Sequence, residues 1–296
     1  MEILRITGLK KRFGDKQVLD GLDLAVEAGS VYGFVGPNGA GKTTTMKAIL
    51  GLLQADAGEI WVNGQPVTYG SGNTNRQIGY LPDVPEFYGF MTAREYLRFC
   101  GQLTGMKLPE LDARCEEMLR LVGLDQEKHR IRGFSRGMKQ RLGIAQALLH
   151  RPKLLICDEP TSALDPVGRK EILDVLLAVR QQTTVLFSTH ILSDVERICT
   201  DVAFLHEGKI TVQGKLSDVR ASYRSDTYLV ELDGGVDTLL QVFPAMKRQG
   251  EQLLFRAGDH DPSEVLEFIS RQRLTLRKWE WIEPTLETVF MEVVNS

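Results

Sequence analysis

The stretch Gly36-Pro37-Asn38-Gly39-Ala40-Gly41-Lys42-Thr43 constrains this chain more than any other. Its G-x-x-x-x-G-K-T spacing is that of a phosphate-binding loop, and its flanks suit that reading. Val31 to Val35 is a short apolar run that reads as a buried strand, Thr44 to Leu50 has helical character, and Gly51 is a natural helix stop. In such a loop the glycines turn backbone N–H groups inward and the following helix adds the positive end of its dipole, so phosphate oxygens are cradled. Lys42 is then placed for the β- and γ-phosphates and the Thr43 hydroxyl for Mg²⁺, with Thr44 completing the nucleotide-binding set.

The rest of the chain supplies the setting that such a loop needs. Lys153 to Cys157 reads as a buried strand delivering Asp158-Glu159, Thr184 to Phe187 as another ending at Ser188-Thr189-His190, and Val202 to Leu205 as the last core strand. Helices are expected from Ser135 to about Leu149 and over Glu171 to Gln181. Strands alternating with helices imply a mostly parallel sheet covered on both faces, with ligand groups collecting at its carboxyl edge. Ahead of this core, residues 2–9 and 17–27 alternate as half-buried strands around an exposed turn Lys11-Arg12-Phe13-Gly14, and Gly58 to Gly64 is a strand closed by an Asn-Gly turn. Residues 65–77 read as loop and Ile78 to Leu81 as a strand. Between Thr92 and Val122 apolar residues recur at helical spacing in two segments, with Thr92 and Glu95 as a capping box and Leu97, Leu103, Leu111 and Leu119 as packing residues. This block, within about residues 84–150, reads as a helical subdomain.

Past residue 220 the character shifts. Strands over Thr227 to Leu232, Gln252 to Arg256 and Leu274 to Trp281 alternate with helices over Val236 to Arg248, Ser263 to Arg273 and Thr285 to Val294, with Pro262 and Pro284 near helix starts. The expected organisation is one large domain, 1–220, and a small α/β domain, 221–296.

Composition narrows the function. A net charge of -3 gives no support to a nucleic-acid partner, which calls for a basic face. Cys100, Cys115, Cys157 and Cys199 have no C-x-x-C spacing and imply neither a disulfide framework nor a metal site. No stretch approaches the ~20 apolar residues of a membrane span, so work at a membrane would need another chain to cross it.

Two further motifs specify the chemistry. Asp158 at a strand end is placed to hold the Mg²⁺ shell, and Glu159 beside it to orient a water for attack on the γ-phosphate. Phe134-Ser135-Arg136-Gly137-Met138-Lys139-Gln140-Arg141 forms a serine-capped helix start, a second anion-binding feature. It resembles the signature motif of ATP-binding cassette (ABC) ATPases, with Arg136 in place of the commoner first glycine.

The resemblance covers roughly residues 1–220 and implies the rest of the site. Phe13 looks like the aromatic that stacks on adenine, Ser162-Ala163-Leu164-Asp165 like the D-loop, and His190 like the switch histidine at the γ-phosphate. Ser135, Gly137 and Asp165 are then nucleotide-contacting residues, and Glu159, His190 and Lys42 catalytic ones. One landmark departs: after Gly-Tyr-Leu-Pro, where the family usually has glutamine, stands Asp83. A carboxylate there can still ligate Mg²⁺ but donates no hydrogen bond when ionised.

The implied fold is a P-loop NTPase core of the ABC ATPase type, with an antiparallel β subdomain and a helical subdomain, plus a small C-terminal α/β domain. Its implied cofactors are ATP and Mg²⁺. Its implied partners are a second cassette, a homodimer mate or a paralogue, and a separate transmembrane permease that would hold the chain on the inner face of the cell membrane. Finer resemblance is to the bacterial drug- and ion-exporter branch, through Ser135 to Leu148 and the ending Glu283 to Phe290. The alternatives are a soluble remodelling ABC ATPase and the ATPase of an importer.

Overall fold

The computed structural model describes residues 1–223, 226–282 and 285–295. They divide into two compact units, Met1–Leu216 and Ser217–Ser296. Each is described by itself.

The first unit begins with a β-hairpin, β1 (Glu2–Phe13) and β2 (Lys16–Glu27), joined by β4 (Ala57–Val62) and β5 (Gln65–Pro66) in an antiparallel sheet of order β2-β1-β4-β5. The expected Lys11–Gly14 turn is shorter than the sequence implied. β1 runs through Phe13, which pairs with Lys16, because left-handed Gly14 (φ 56°) lets the chain reverse in Gly14-Asp15 alone. Asn63 and Gly64 turn the chain between β4 and β5 with both φ angles positive (46° and 76°), the geometry of a primed hairpin turn.

The second sheet is the core. β3 (Val31–Val35), β6 (Ile78–Leu81), β7 (Leu154–Asp158), β8 (Thr184–Thr189) and β9 (Asp201–His206) run parallel, and β10 (Lys209–Lys215) adds an antiparallel edge, in the order β10-β9-β3-β8-β7-β6. β3, β7 and β8 are buried at every position, as central strands covered on both faces must be. β9 is the last strand of the buried core, as expected, and β10 follows it as an edge strand. β10 alternates exposed and half-buried residues, and its charged and polar positions hid it among turn-like residues.

Helix α1 (Lys42–Ile49) follows the glycine loop. In the helical block, α2 (Ala93–Leu103) starts at a full capping box: Thr92 N donates to Glu95 Oε2 at 2.8 Å and Glu95 N to Thr92 Oγ1 at 3.3 Å. α3 (Leu108–Leu121) packs beside it, and Leu97, Leu111 and Leu119 are buried. Leu103, expected among them, is 73% exposed: it ends α2 off the stripe formed by Ala93, Tyr96, Leu97 and Gly101. α4 (Arg136–Leu148) is capped by Ser135. α5 (Pro166–Val179) begins five residues before the expected start, because Asp165 caps it and Pro166 occupies its first turn. α6 (Leu192–Ile198) completes this unit, and α7 (Leu216–Ser222) follows β10.

The second unit has β11 (Thr227–Leu232), α8 (Val236–Val242), β12 (Lys247–Gln249), β13 (Gln252–Arg256), α9 (Pro262–Arg271), β14 (Leu276–Trp281) and then α10 (Leu286–Asn295). Its sheet is antiparallel in the order β12-β13-β11-β14, the ferredoxin-like split βαβ arrangement. Val230, Leu232, Leu253 and Phe255 of the sheet pack with Leu239, Val265 and Ile269 of the helices. The expected helix to Arg248 stops at Val242, because Phe243 precedes Pro244 and the residue before a proline is pushed out of the helical region; the chain after it forms β12. Pro284 lies outside the described residues.

Candidate functional site

The carboxyl ends of β3, β7 and β8 bring the predicted side chains together. After β3 the chain reverses at Gly36, where a Cβ would lie 2.5 Å from the Leu205 carbonyl oxygen, so only glycine fits between the loop and β9. Gly39 and Gly41 have φ of 83° and 114°, and the loop closes onto the first turn of α1. Lys42, 6% exposed, donates from Nζ to the carbonyls of Gly36 at 2.6 Å and Pro37 at 3.2 Å. The same ammonium lies 3.0 Å from Glu159 Oε1.

Glu159 is the centre of the arrangement. It follows β7 in a left-handed conformation, φ 48°, a strained choice for a non-glycine residue. Its backbone N–H donates to the Ser188 hydroxyl and carbonyl, at 3.0 and 3.2 Å. Its other carboxylate oxygen lies 2.9 Å from His190 Nδ1. A cation, a carboxylate and an imidazole are thus in series across the ends of three neighbouring strands. Asp158, 2% exposed, accepts from Ser188 Oγ at 2.6 Å.

Lys42, Thr43, Asp83, Glu159 and His190 border one cavity of about 340 Å³, together with Asn38, Gly39, Gly41 and Thr44 of the loop. Asp83 enters from the chain after β6. Its backbone carbonyl accepts from Gln140 Nε2 at 2.6 Å, and its Oδ1 lies 3.3 Å from Arg136 Nη2. Burial raises the Asp83 pKa above the usual carboxylate range; Asp158 and Glu159 add to this, while Arg136 and His190 oppose it.

Other predicted residues lie elsewhere. Ser135, Gly137 and Asp165 border a second cavity of about 250 Å³. Ser135 and Asp165 are both helix caps: Ser135 Oγ accepts from Met138 N at 3.2 Å and Asp165 Oδ1 from Gly168 N at 3.2 Å. Phe13 stands at the tip of the β1–β2 hairpin, 49% exposed, with Lys11 Nζ 5.4 Å from its ring centroid.

Several residues of the site escaped the sequence reading. Ser188 is fully buried and links Asp158 to the Glu159 backbone, yet a serine ending a strand carries no sequence signal. Asp194 is 1% exposed and clasps Thr161 and Arg169, tying the turn after Glu159 to α5 and α6. Nothing in its local sequence separates it from an ordinary acidic residue in a helix first turn.

Residues 19–162 match the ABC transporter family, and residues 214–294 match the C-terminal domain of DrrA1-3-like ATP-binding proteins. The chain is 37% identical over 300 residues to the uncharacterized ABC transporter ATP-binding protein YxlF of Bacillus subtilis (strain 168), covering 99% of this chain and 100% of that one. This chain belongs to the ABC transporter ATP-binding proteins. The bacitracin transport ATP-binding protein BcrA of Bacillus licheniformis is 43% identical over 211 residues, 70% of this ABC protein and 68% of BcrA. A solved structure described as the ATP-binding subunit of an ABC transporter superposes with a TM-score of 0.67 at 33% identity, covering 75% of this chain and 93% of that one. As an ABC ATPase the protein binds and hydrolyses ATP, and such subunits act in pairs with membrane permeases.

The donor set at the cavity suits the metal that accompanies ATP. Thr43 and Asp83 offer hard oxygen ligands on its wall, Asp158 lies buried behind it beside Glu159, and no cluster of three His, Cys, Asp or Glu residues able to hold a metal by itself occurs among the described residues. Mg²⁺ binds in that manner, through one or two carboxylates plus substrate phosphates rather than in a protein cage.

Proposed function

We propose that this ABC ATPase drives an exporter of the drug-transporting kind through head-to-tail pairing of two cassettes on a separate permease. The observation that carries the chemistry is the Glu159 carboxylate, held between Lys42 Nζ at 3.0 Å and His190 Nδ1 at 2.9 Å. Lys42 exchanges the Gly36 and Pro37 carbonyls and Glu159 for the β- and γ-phosphates, which frees the carboxylate to accept a hydrogen bond from the attacking water. His190 orients that carboxylate and reaches the γ-phosphate. Thr43, Asp158 and Asp83 would hold Mg²⁺, which neutralises charge between the phosphate oxygens.

Ser135, Gly137 and Asp165 serve the nucleotide of the partner cassette, which accounts for their lying in a second cavity apart from Lys42. Phe13 stacks on the adenine. ATP then bridges the two chains, and its hydrolysis removes the bridge. The exporter assignment is supported by the DrrA-like match over residues 214–294 and by the likeness to BcrA. The large and small domains divide near residues 216–220. No helix of the described residues is long and apolar enough to cross a membrane. On the proposed reading, the permease holds the protein at the inner face of the cell membrane.

Glu159→Gln keeps size and removes the charge that orients water, so ATP should bind without turnover and the dimer should accumulate. Gel filtration is expected to give an ATP-dependent dimer for Glu159→Gln and a monomer when Ser135→Arg is added. Equal dimerisation of both variants, or of either without ATP, rules the arrangement out.

A further inference from the structure

The two residues that depart from the common motifs, Asp83 in place of glutamine and Arg136 in place of glycine, face each other. They are 53 positions apart in the chain, yet Arg136 Nη2 donates to Asp83 Oδ1 at 3.3 Å. The backbone of Asp83 is fixed independently. Gln140, fully buried one turn along α4, donates from Nε2 to the Asp83 carbonyl at 2.6 Å. The loop after β6 is therefore pinned to α4 through its main chain, while its carboxylate, 48% exposed, is held by Arg136.

Asp83 has a second claim on it. It borders the cavity that contains Lys42, Thr43 and Glu159, and it also borders the groove of about 440 Å³ that Arg132 and Arg136 line. A carboxylate at this boundary can serve a cation on either side: the guanidinium toward the groove, or Mg²⁺ toward the phosphates. Glutamine in its place would carry no charge for Arg136 to hold, and glycine at 136 would leave Asp83 without that partner. The two departures make sense as a pair.

We infer that Arg136 is a positioning residue that holds the Asp83 carboxylate on the groove side, in competition with the metal shell. The N-terminal turn of α4, which also carries Ser135 and Gly137, then sets how available Asp83 is to Mg²⁺. A partner that engages Arg136 in the groove would release the carboxylate toward the phosphates. This rests on the reading of Asp83 as a Mg²⁺ ligand given above.

The test is a metal-affinity measurement rather than turnover. The full chain is loaded with the β,γ-imido analogue of ATP, Mn²⁺ is titrated in, and free Mn²⁺ is followed by electron paramagnetic resonance. Arg136→Gly should lower the Mn²⁺ concentration for half-saturation about two- to fivefold, the scale of a half-exposed ion pair. Arg136→Lys, which keeps the cation, should stay near the parent. Asp83→Asn should raise half-saturation, and adding Arg136→Gly to it should change nothing further. An unchanged value for Arg136→Gly overturns the inference, as does the same shift with and without Asp83→Asn, since the effect would then bypass the carboxylate. A parent chain that retains no Mn²⁺ with the nucleotide instead refutes the proposed site, and the inference falls with it.

Discussion

Asp194 offers a quantitative check on how the turn after Glu159 is held. It is 1% exposed; its Oδ2 accepts from Thr161 Oγ1 at 2.7 Å and its Oδ1 from Arg169 Nε at 2.5 Å. Arg169 also donates to Ser193 Oγ at 2.7 Å. Thr161 lies between Glu159 and Ala163, two non-glycine residues with φ of 48° and 52°, so the clasp stabilises a turn that is strained on both sides of it. Asp194→Ala removes two hydrogen bonds to a charged acceptor, a loss of about 3–6 kcal/mol at ~1.5–3 kcal/mol each. Arg169 is 30% exposed and regains water, which reduces the expected net cost to about 2–4 kcal/mol. Asp194→Asn should cost less, about 1–2 kcal/mol, because its oxygen still accepts from Arg169 and the Thr161 hydroxyl can turn to accept from the new amide.

Differential scanning calorimetry of the full chain is the assay. The transition of the first unit is recognised as the one that ATP shifts upward. At ~2–4 °C per kcal/mol for a domain of this size, a 3 kcal/mol loss moves the Ala variant down by about 9 °C. The Asn variant should lie between it and the parent. Equal losses for Asn and Ala, or less than about 1 kcal/mol for both, would refute the assignment of Asp194 as a hydrogen-bonded clasp.

Other outcomes follow from the same geometry. Lys42→Ala should abolish ATP hydrolysis and weaken nucleotide binding, measured by isothermal titration with the imido analogue; retained turnover would overturn the reading of the loop. Deleting residues 217–296 should leave nucleotide binding in place, since every residue of the cavity precedes the cut. Loss of binding in a truncated protein with a native circular dichroism spectrum would show that the first unit does not form the site by itself.

Local chemistry determined much of this protein without tertiary help. The glycine loop, the Thr92–Glu95 capping box, the Asn63-Gly64 turn and the apolar runs of the central strands are readable because each signal acts within a few residues. The Asp165-Pro166 start of α5 is equally local in its cap and proline chemistry, although the expected helix over Glu171 to Gln181 begins five residues later.

What the tertiary structure decided depends on residues distant in the chain. Ser188 bridges Asp158 and Glu159 only because β8 lies beside β7, and Asp194 reaches Thr161 from 33 positions away. Asp83 and Arg136 each depart from a motif in the sequence, but their facing each other depends on β6 packing against α4. β10 carries no clear signal and Leu103 a misleading one because an edge strand and a helix end are half in water, where sequence pattern and burial part company. Hydrophobic spacing reports which face of an element turns inward. It does not report which other element that face will meet, and the polar contacts of the turn after Glu159 are made where such faces meet.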